Sequence, residues 1–174
     1  MAYKFEEQSI KIQSQKTEKI YTMSSIGETS FSEDTVDQIT NVCDEPEVYD
    51  NVFASVFKGK RYTKDNARFF VKLLQEGLVK KDRFDWLIFY EGNVVGTIGI
   101  KSLEGEIGYW QSRHHPGVMT SALKNVCSLA KEAGFKSLWA QVDQSHIASI
   151  KVLEGAGFQF LEVKENIKKY QREF

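Results

Sequence analysis

Apolar residues recur along this chain at two spacings, and the change from one to the other marks out its elements. Residues 1–16 are polar and loosely patterned, as a frayed end or an edge strand would be. Lys19–Met23 alternates enough for a short strand. Ser32–Val42 reads as a helix capped by Ser32 and ended at Glu45-Pro46. Val48, Val52, Phe53, Val56 and Phe57 form a helical stripe. Thr63 caps a clearer helix whose apolar face is Ala67, Phe70, Val71 and Leu74. From Phe84 the pattern sharpens. Phe84–Tyr90 is dense in aromatic and branched residues, as a central strand is. Glu91-Gly92-Asn93 supplies a turn, and Val94–Ile100 returns as the second arm of a hairpin. Glu106–Gln111 reads as a third strand. Met119, Ala122, Leu123, Val126, Cys127, Ala130 and Ala133 fall on one helical face, closed by Gly134 as a left-handed cap. A strand at 138–142, a short helix opened by Ser145 and closed by Gly155 or Gly157, and a strand over Phe158–Val163 follow. A hairpin followed by strand, helix, strand, helix, strand predicts an α/β (α+β) fold with a mixed sheet.

The 174 residues fit one domain, spanning 1–174. A domain of this size buries roughly 70% of its unfolded surface and needs no metal or disulfide staple. Hydrophobic residues at 41% and charged residues at 27% exclude a disordered or collagen-like chain. A net charge of -1 removes the basic excess expected of a nucleic-acid binder. Two cysteines, Cys43 and Cys127, read as free thiols in a reducing compartment. The first residues lack the apolar stretch of a secretory signal, and no apolar run approaches the ~20 residues of a membrane helix. The expectation is a soluble, cytoplasmic protein.

Two segments carry candidate chemistry. At Trp110–Thr120 a strand runs into a helix, whose amino end presents free N–H groups and a positive dipole to an anion. Gly117 allows close approach there and Arg113 adds charge; any strand-to-helix turn, however, favours glycine. The second segment, Ser145–Phe158, is a well-capped amphipathic helix in its plainest reading, which leaves His146 and Ser149 on one face without a role.

The run Glu106-Ile107-Gly108-Tyr109-Trp110, the turn Gly117-Val118-Met119-Thr120-Ser121-Ala122-Leu123 and the segment Ala148–Glu154 followed by Gly157-Phe158 resemble, in order and spacing, the GNAT acyl-CoA N-acyltransferases. The likeness is greatest to the branch that holds the ribosomal-protein N-terminal acetyltransferases, and it is strong from about Phe84 to Val163. It implies a central mixed, splayed, mostly antiparallel sheet flanked by helices, with residues 84–163 as the acetyl-CoA core and 1–80 as acceptor-side helices. It implies acetyl-CoA wedged between the Glu106–Gln111 and Leu138–Asp143 strands, its pantetheine along Tyr109, Trp110 and Gln111. The pyrophosphate then falls on Arg113, His114, His115, Gly117, Val118, Met119 and Thr120. His146 and Ser149 complete the cofactor set.

The sequence also departs from the family. His114 stands where Arg or Gln is usual, the loop from Trp110 to Gly117 is about two residues short, and Pro116 removes a backbone donor. His146 replaces the usual Asn. Leu153 occupies the position of a tyrosine that protonates the leaving thiolate in many relatives. Acetyl transfer to an alkylamine starts from about 0.04% neutral amine at pH 7, so a base matters. The resemblance assigns that base to Glu106 and the thiolate's acid to Ser149; Glu162 is the second choice of base, and His114 and His115 have suitable intrinsic pKa values although their place in the turn points to phosphate contact first. Each also has a plain reading, Glu106 as a solvated strand-edge carboxylate and Ser149 as a helix-surface hydroxyl. The three histidines lack metal-ligand spacing, so no metal is expected. Trp86, Trp139, Phe84 and Phe89 read as core, and Cys127 as buried and inert. The expected function is transfer of acetyl from acetyl-CoA to a primary amine, of a peptide N-terminus or a small molecule. The alternative is a degenerate member that binds acyl-CoA or a protein partner, and weaker still is a structural domain without cofactor. Neither membrane nor nucleic acid is an expected partner; a homodimer is compatible with the pattern. Ile167–Phe174 reads as a shortened last strand or one completed by a partner.

Overall fold

A computed structural model describes residues 3–174. The chain builds two antiparallel sheets: β1 (Ser9–Gln13), β2 (Ile20–Ser25), β3 (Phe84–Tyr90), β4 (Asn93–Ile100) and β5 (Ile107–Gln111) in sequential order, and β6 (Ser137–Asp143), β7 (Gln159–Lys164) and β8 (Ile167–Glu173) in the order β6-β8-β7. The sheets meet at one parallel bridge, Glu106 with Trp139. Beyond it β5 and β6 diverge. The central sheet is thus mixed only at that bridge and splayed from there on.

Local chemistry accounts for most elements. The amino end is an edge strand, β1, paired with β2 from Ser9↔Ser24 to Gln13↔Ile20. Helix α1 (Glu33–Cys43) starts at Ser32, whose hydroxyl accepts the Thr35 N–H, and α4 (Lys64–Lys80) starts at Thr63 in the same way; both are reciprocal capping boxes. Between them the stripe at 48–57 breaks into α2 (Pro46–Val48), a π turn over Tyr49–Phe53 and α3 (Ala54–Phe57) rather than one helix. The β3–β4 hairpin turns on Glu91 and Gly92, both at positive φ, the geometry that matches strand twist. Helix α5 (Val118–Ala133) ends at Gly134 with φ 102°.

Four expectations need correction. Ser145 does not cap α6 (Ile147–Gly155): its N–H and hydroxyl both donate to Asp143 Oδ1, and His146 takes the cap position without a side-chain bond. The last strand is neither short nor in need of a partner. β8 pairs along β6 from Ser137↔Glu173 to Asp143↔Ile167 and on its other side with β7. Trp139 is only half-buried, with Nε1 donating to Glu104 C=O and Lys169 over its ring. Phe84 and Phe89 are likewise half-buried at the margins of the core, while Trp86 is fully buried.

Two apolar clusters sandwich the larger sheet. One joins Met23, Trp86, Ile98 and Ile107 to α5, β6 and α6 through Leu123, Val126, Leu138 and Leu153. The other joins Leu87, Val94 and Trp110 to α1 and α4 through Ile39, Ala67, Val71 and Leu74. Cys43 and Cys127 are buried free thiols, and burial pushes Cys127 up to about 11, out of the reactive range.

Candidate active site

The splay leaves one edge of β5 open. Ser112 N–H donates to Val95 C=O, and Glu106 C=O accepts from Lys101 N–H, so these residues face β4. Alternation along the strand then turns the N–H and C=O of Tyr109 and Gln111 to the open edge, and those of Trp110 back to β4. Two polar residues at a free sheet edge suit an extended, amide-bearing ligand such as a pantetheine arm.

Cavities flank this edge. One, of about 230 Å³, is lined by Val48, Val52, Gln111, Met119, Ala148 and Val152 among others. The other, of about 430 Å³, reaches Phe70, Arg83, Asp85, Lys101 and Glu106. They share Asn51, Val52, Tyr109, Trp110, His146 and Ser149. At that junction the Tyr109 hydroxyl crosses the splay to lie 2.8 Å from Ser149 Oγ and 3.2 Å from Ser149 C=O. Burial raises the Tyr109 pKa, so the phenol stays protonated at neutral pH. Burial lowers His146, more strongly than nearby Asp143 raises it, so its ring is neutral at pH 7. Of the three histidines His146 is the one at the junction.

The turn before α5 mixes free and committed donors. Gly117, Val118 and Thr120 N–H find no acceptor among the described residues, the expected state of a helix amino end. Met119 N–H donates to Gln111 Oε1 at 3.1 Å. Glu45 accepts from Ser112 Oγ and from Arg113 N–H, at 2.7 and 3.2 Å, while the Arg113 guanidinium pairs with Glu47 at 3.1 Å. His114 N–H and His115 N–H turn back to Ser112. The His115 ring leaves the turn altogether: Nδ1 lies 3.1 Å from the Tyr21 hydroxyl, and the ring packs on Tyr90. Three helix donors therefore fit an anion, whereas the side chains of Arg113 and His115 are engaged elsewhere.

Gly117, at φ 82°, has the Ser14–Lys16 turn pressed against it: a Cβ there would meet Lys16 N and Ser14 Oγ at 2.8 Å. Ser14 Oγ donates to Pro116 C=O, Gln15 N–H to Gly117 C=O, and Ser121 Oγ to Gln13 C=O. The glycine admits this neighbouring backbone, which brings Lys16 beside the turn.

Glu106 lines the larger cavity with its carboxylate 2.5 Å from Lys101 Nζ. Glu162 is exposed on β7, away from the lining of both cavities. Sequence reasoning missed Asn51 and Val52, which line both cavities, and Arg83, Asp85 and Lys101. The signal available for Arg83 and Asp85 was indirect: glycines at 77 and 99, inside a regular helix and strand, lie against them.

Residues 29–159 match the acetyltransferase (GNAT) domain family. The chain belongs to the GNAT acetyltransferases. Among solved structures of this fold, the RimL ribosomal L7/L12 alpha-N-protein acetyltransferase in complex with coenzyme A is 13% identical at a TM-score of 0.72, covering 88% of this chain and 93% of its own. Mycobacterium smegmatis RimJ, in complex with a CoA disulfide, is 15% identical at 0.72, covering 95% and 86%. The microcin C7 self-immunity acetyltransferase MccE, in complex with acetyl-CoA and AMP, is 11% identical at 0.66, covering 88% and 92%. No curated protein sequence matches the chain. The GNAT fold read from the three motifs is the one observed, and no helix among the described residues is long and apolar enough to cross a membrane.

Proposed function

We propose that this GNAT protein transfers the acetyl group of acetyl-CoA to a primary amine by direct attack. The observation that carries the reading is the open edge of β5, with a cavity on either side and Tyr109, His146 and Ser149 where the two meet. The smaller cavity's apolar wall and the free N–H groups of Gly117, Val118 and Thr120 hold the cosubstrate. The larger cavity holds the amine. An open-edge N–H of β5 polarises the thioester carbonyl. As the amine nitrogen bonds to the carbonyl carbon and the C–S bond breaks, Glu106 takes the amine's proton and the Ser149 hydroxyl gives one to sulfur; the proton on Glu106 then returns to Ser149 through water, so both side chains end as they began. Tyr109, hydrogen-bonded to Ser149, orients that hydroxyl. His146 is the second candidate base, since it is neutral at pH 7 and lines both cavities.

A second reading, a member that binds without catalysing, draws on the commitment of Arg113 to Glu47 and of Met119 N–H to Gln111. Thermal unfolding with and without acetyl-CoA separates the two. Ligand at a hundredfold over Kd adds about 2.7 kcal/mol, raising Tm by roughly 5–10 °C for this size. That shift together with amine-dependent release of free CoA supports the enzyme. A shift without CoA release favours the binding protein, and no shift at millimolar acetyl-CoA overturns both.

A further inference from the structure

The larger cavity carries a feature the transfer reaction alone does not require. Arg83 and Asp85 form a bidentate ion pair in its wall, Nε to Oδ2 at 2.6 Å and Nη2 to Oδ1 at 2.8 Å. Their side chains are only 13% and 4% exposed. Room for them comes from two glycines: a Cβ on Gly77 would lie 1.9 Å from Arg83 Cγ, and one on Gly99 1.9 Å from Asp85 Oδ1. Glycine inside a helix or strand costs roughly 0.5–1 kcal/mol against alanine. A buried ion pair is seldom more stable than apolar residues of the same volume. Two glycines and a buried pair are thus a poor device for stability, and the pair they make room for lines the cavity.

The wall continues as Lys101 and Glu106, paired at 2.5 Å but partly solvated. A partly exposed pair is worth little and readily exchanges partners. The four charges sum to zero. Arg83 Nη1 has no acceptor among the described residues. Phe53, Phe70 and Leu73 from the helical side and Trp110 from β5 complete the lining with apolar surface.

We propose that the acceptor is a small zwitterion with an apolar body: a free amino acid bearing an aromatic or branched side chain. The proposal rests on the acetyl-transfer reading for the place of the amine. Its ammonium replaces Lys101 against Glu106, and its carboxylate takes Lys101 and Arg83 Nη1. The side chain lies on Phe70 and Trp110. A bare cation, or a peptide whose amide replaces the carboxylate, would displace Lys101 from Glu106 and leave it without a counter-charge, while Arg83 keeps Asp85. The cavity, about 430 Å³, suits a ligand of this size.

The test is calorimetric titration of L-phenylalanine, phenylalaninamide and phenethylamine into the full chain, with and without CoA, which cannot turn over. Phenylalanine is expected to bind about tenfold or more tightly than the other two, the worth of a charge-assisted contact. Lys101→Met, at a half-exposed side chain, is expected to erase that preference while leaving affinity for acetyl-CoA unchanged. Equal binding of the three, or no binding of phenylalanine at millimolar concentration, overturns the proposal. A preference that survives in Lys101→Met overturns the assignment of the carboxylate to that cation. A parallel assay of CoA release from acetyl-CoA keeps the two readings apart. Phenylalanine that binds without releasing CoA, when no other amine releases it either, leaves a zwitterion site but removes both its role as acceptor and the catalytic reading. Release with phenethylamine but not phenylalanine upholds the catalytic reading and overturns the proposal.

Discussion

Ser149 and Tyr109 come from opposite walls of the splay, one on α6 and one on β5, yet their hydroxyls are within a hydrogen bond of each other. Leu153, the position where many relatives place a tyrosine, is buried in the core one turn further along α6. Truncating Ser149 to alanine should therefore lower kcat about a hundredfold, the scale of a lost general acid, with little change in acetyl-CoA affinity. Steady-state kinetics beside a binding titration reads both, and an unchanged kcat removes Ser149 from the mechanism. Ser149 and Tyr109 were legible as candidates because they sit in motifs; their contact was not, because 40 residues separate them. Arg113 shows the opposite case. Its type and place suggested a phosphate ligand, but the partner that holds it, Glu47, lies in a segment whose pattern gave no hint of position.

Elements with unbroken periodicity, α5 and the β3–β4 hairpin above all, lie where alternation and helical spacing put them, since apolar burial decides them locally. The π turn at Tyr49–Phe53 was hidden for the converse reason: a stripe of five apolar residues fits a regular helix and an interrupted one alike. Ser145 was misread because a capping serine and a serine held by the preceding aspartate look the same in sequence. Gly77 tests the link between an element and the cavity. In an ordinary helix interior Gly→Ala stabilises by about 1 kcal/mol. Here the added methyl overlaps Arg83, so Gly77→Ala should instead lower Tm in thermal denaturation. A raised Tm would show that Arg83 moves aside freely.

For the molecule as a whole, two histidines contribute a loss of stability in mild acid. His115 is held below its ordinary value of 6.5 mainly by burial, with Lys19 and His114 adding to it, and His146 mainly by burial. In each the unfolded chain binds the proton more readily than the fold does. Their contribution to stability is full above pH 6.5 and is lost as pH falls through the lowered values. Tm should fall as pH drops from 7 to 5, and His115→Gln should flatten the decline. A profile identical to the parent's removes His115 as a source.

The bonds from Ser14 to Pro116 and from Ser121 to Gln13 span 102 and 108 positions of sequence. During synthesis at roughly 5–20 residues per second, the first strand leaves the ribosome several seconds before the turn it fastens has been made. The hairpin of β1 and β2 must wait with one edge bare, and the turn before α5 closes long after it. Closure of this turn therefore arrives late on the ribosome, and an arrested nascent chain acquires it only once residues well beyond 121 have cleared the exit tunnel.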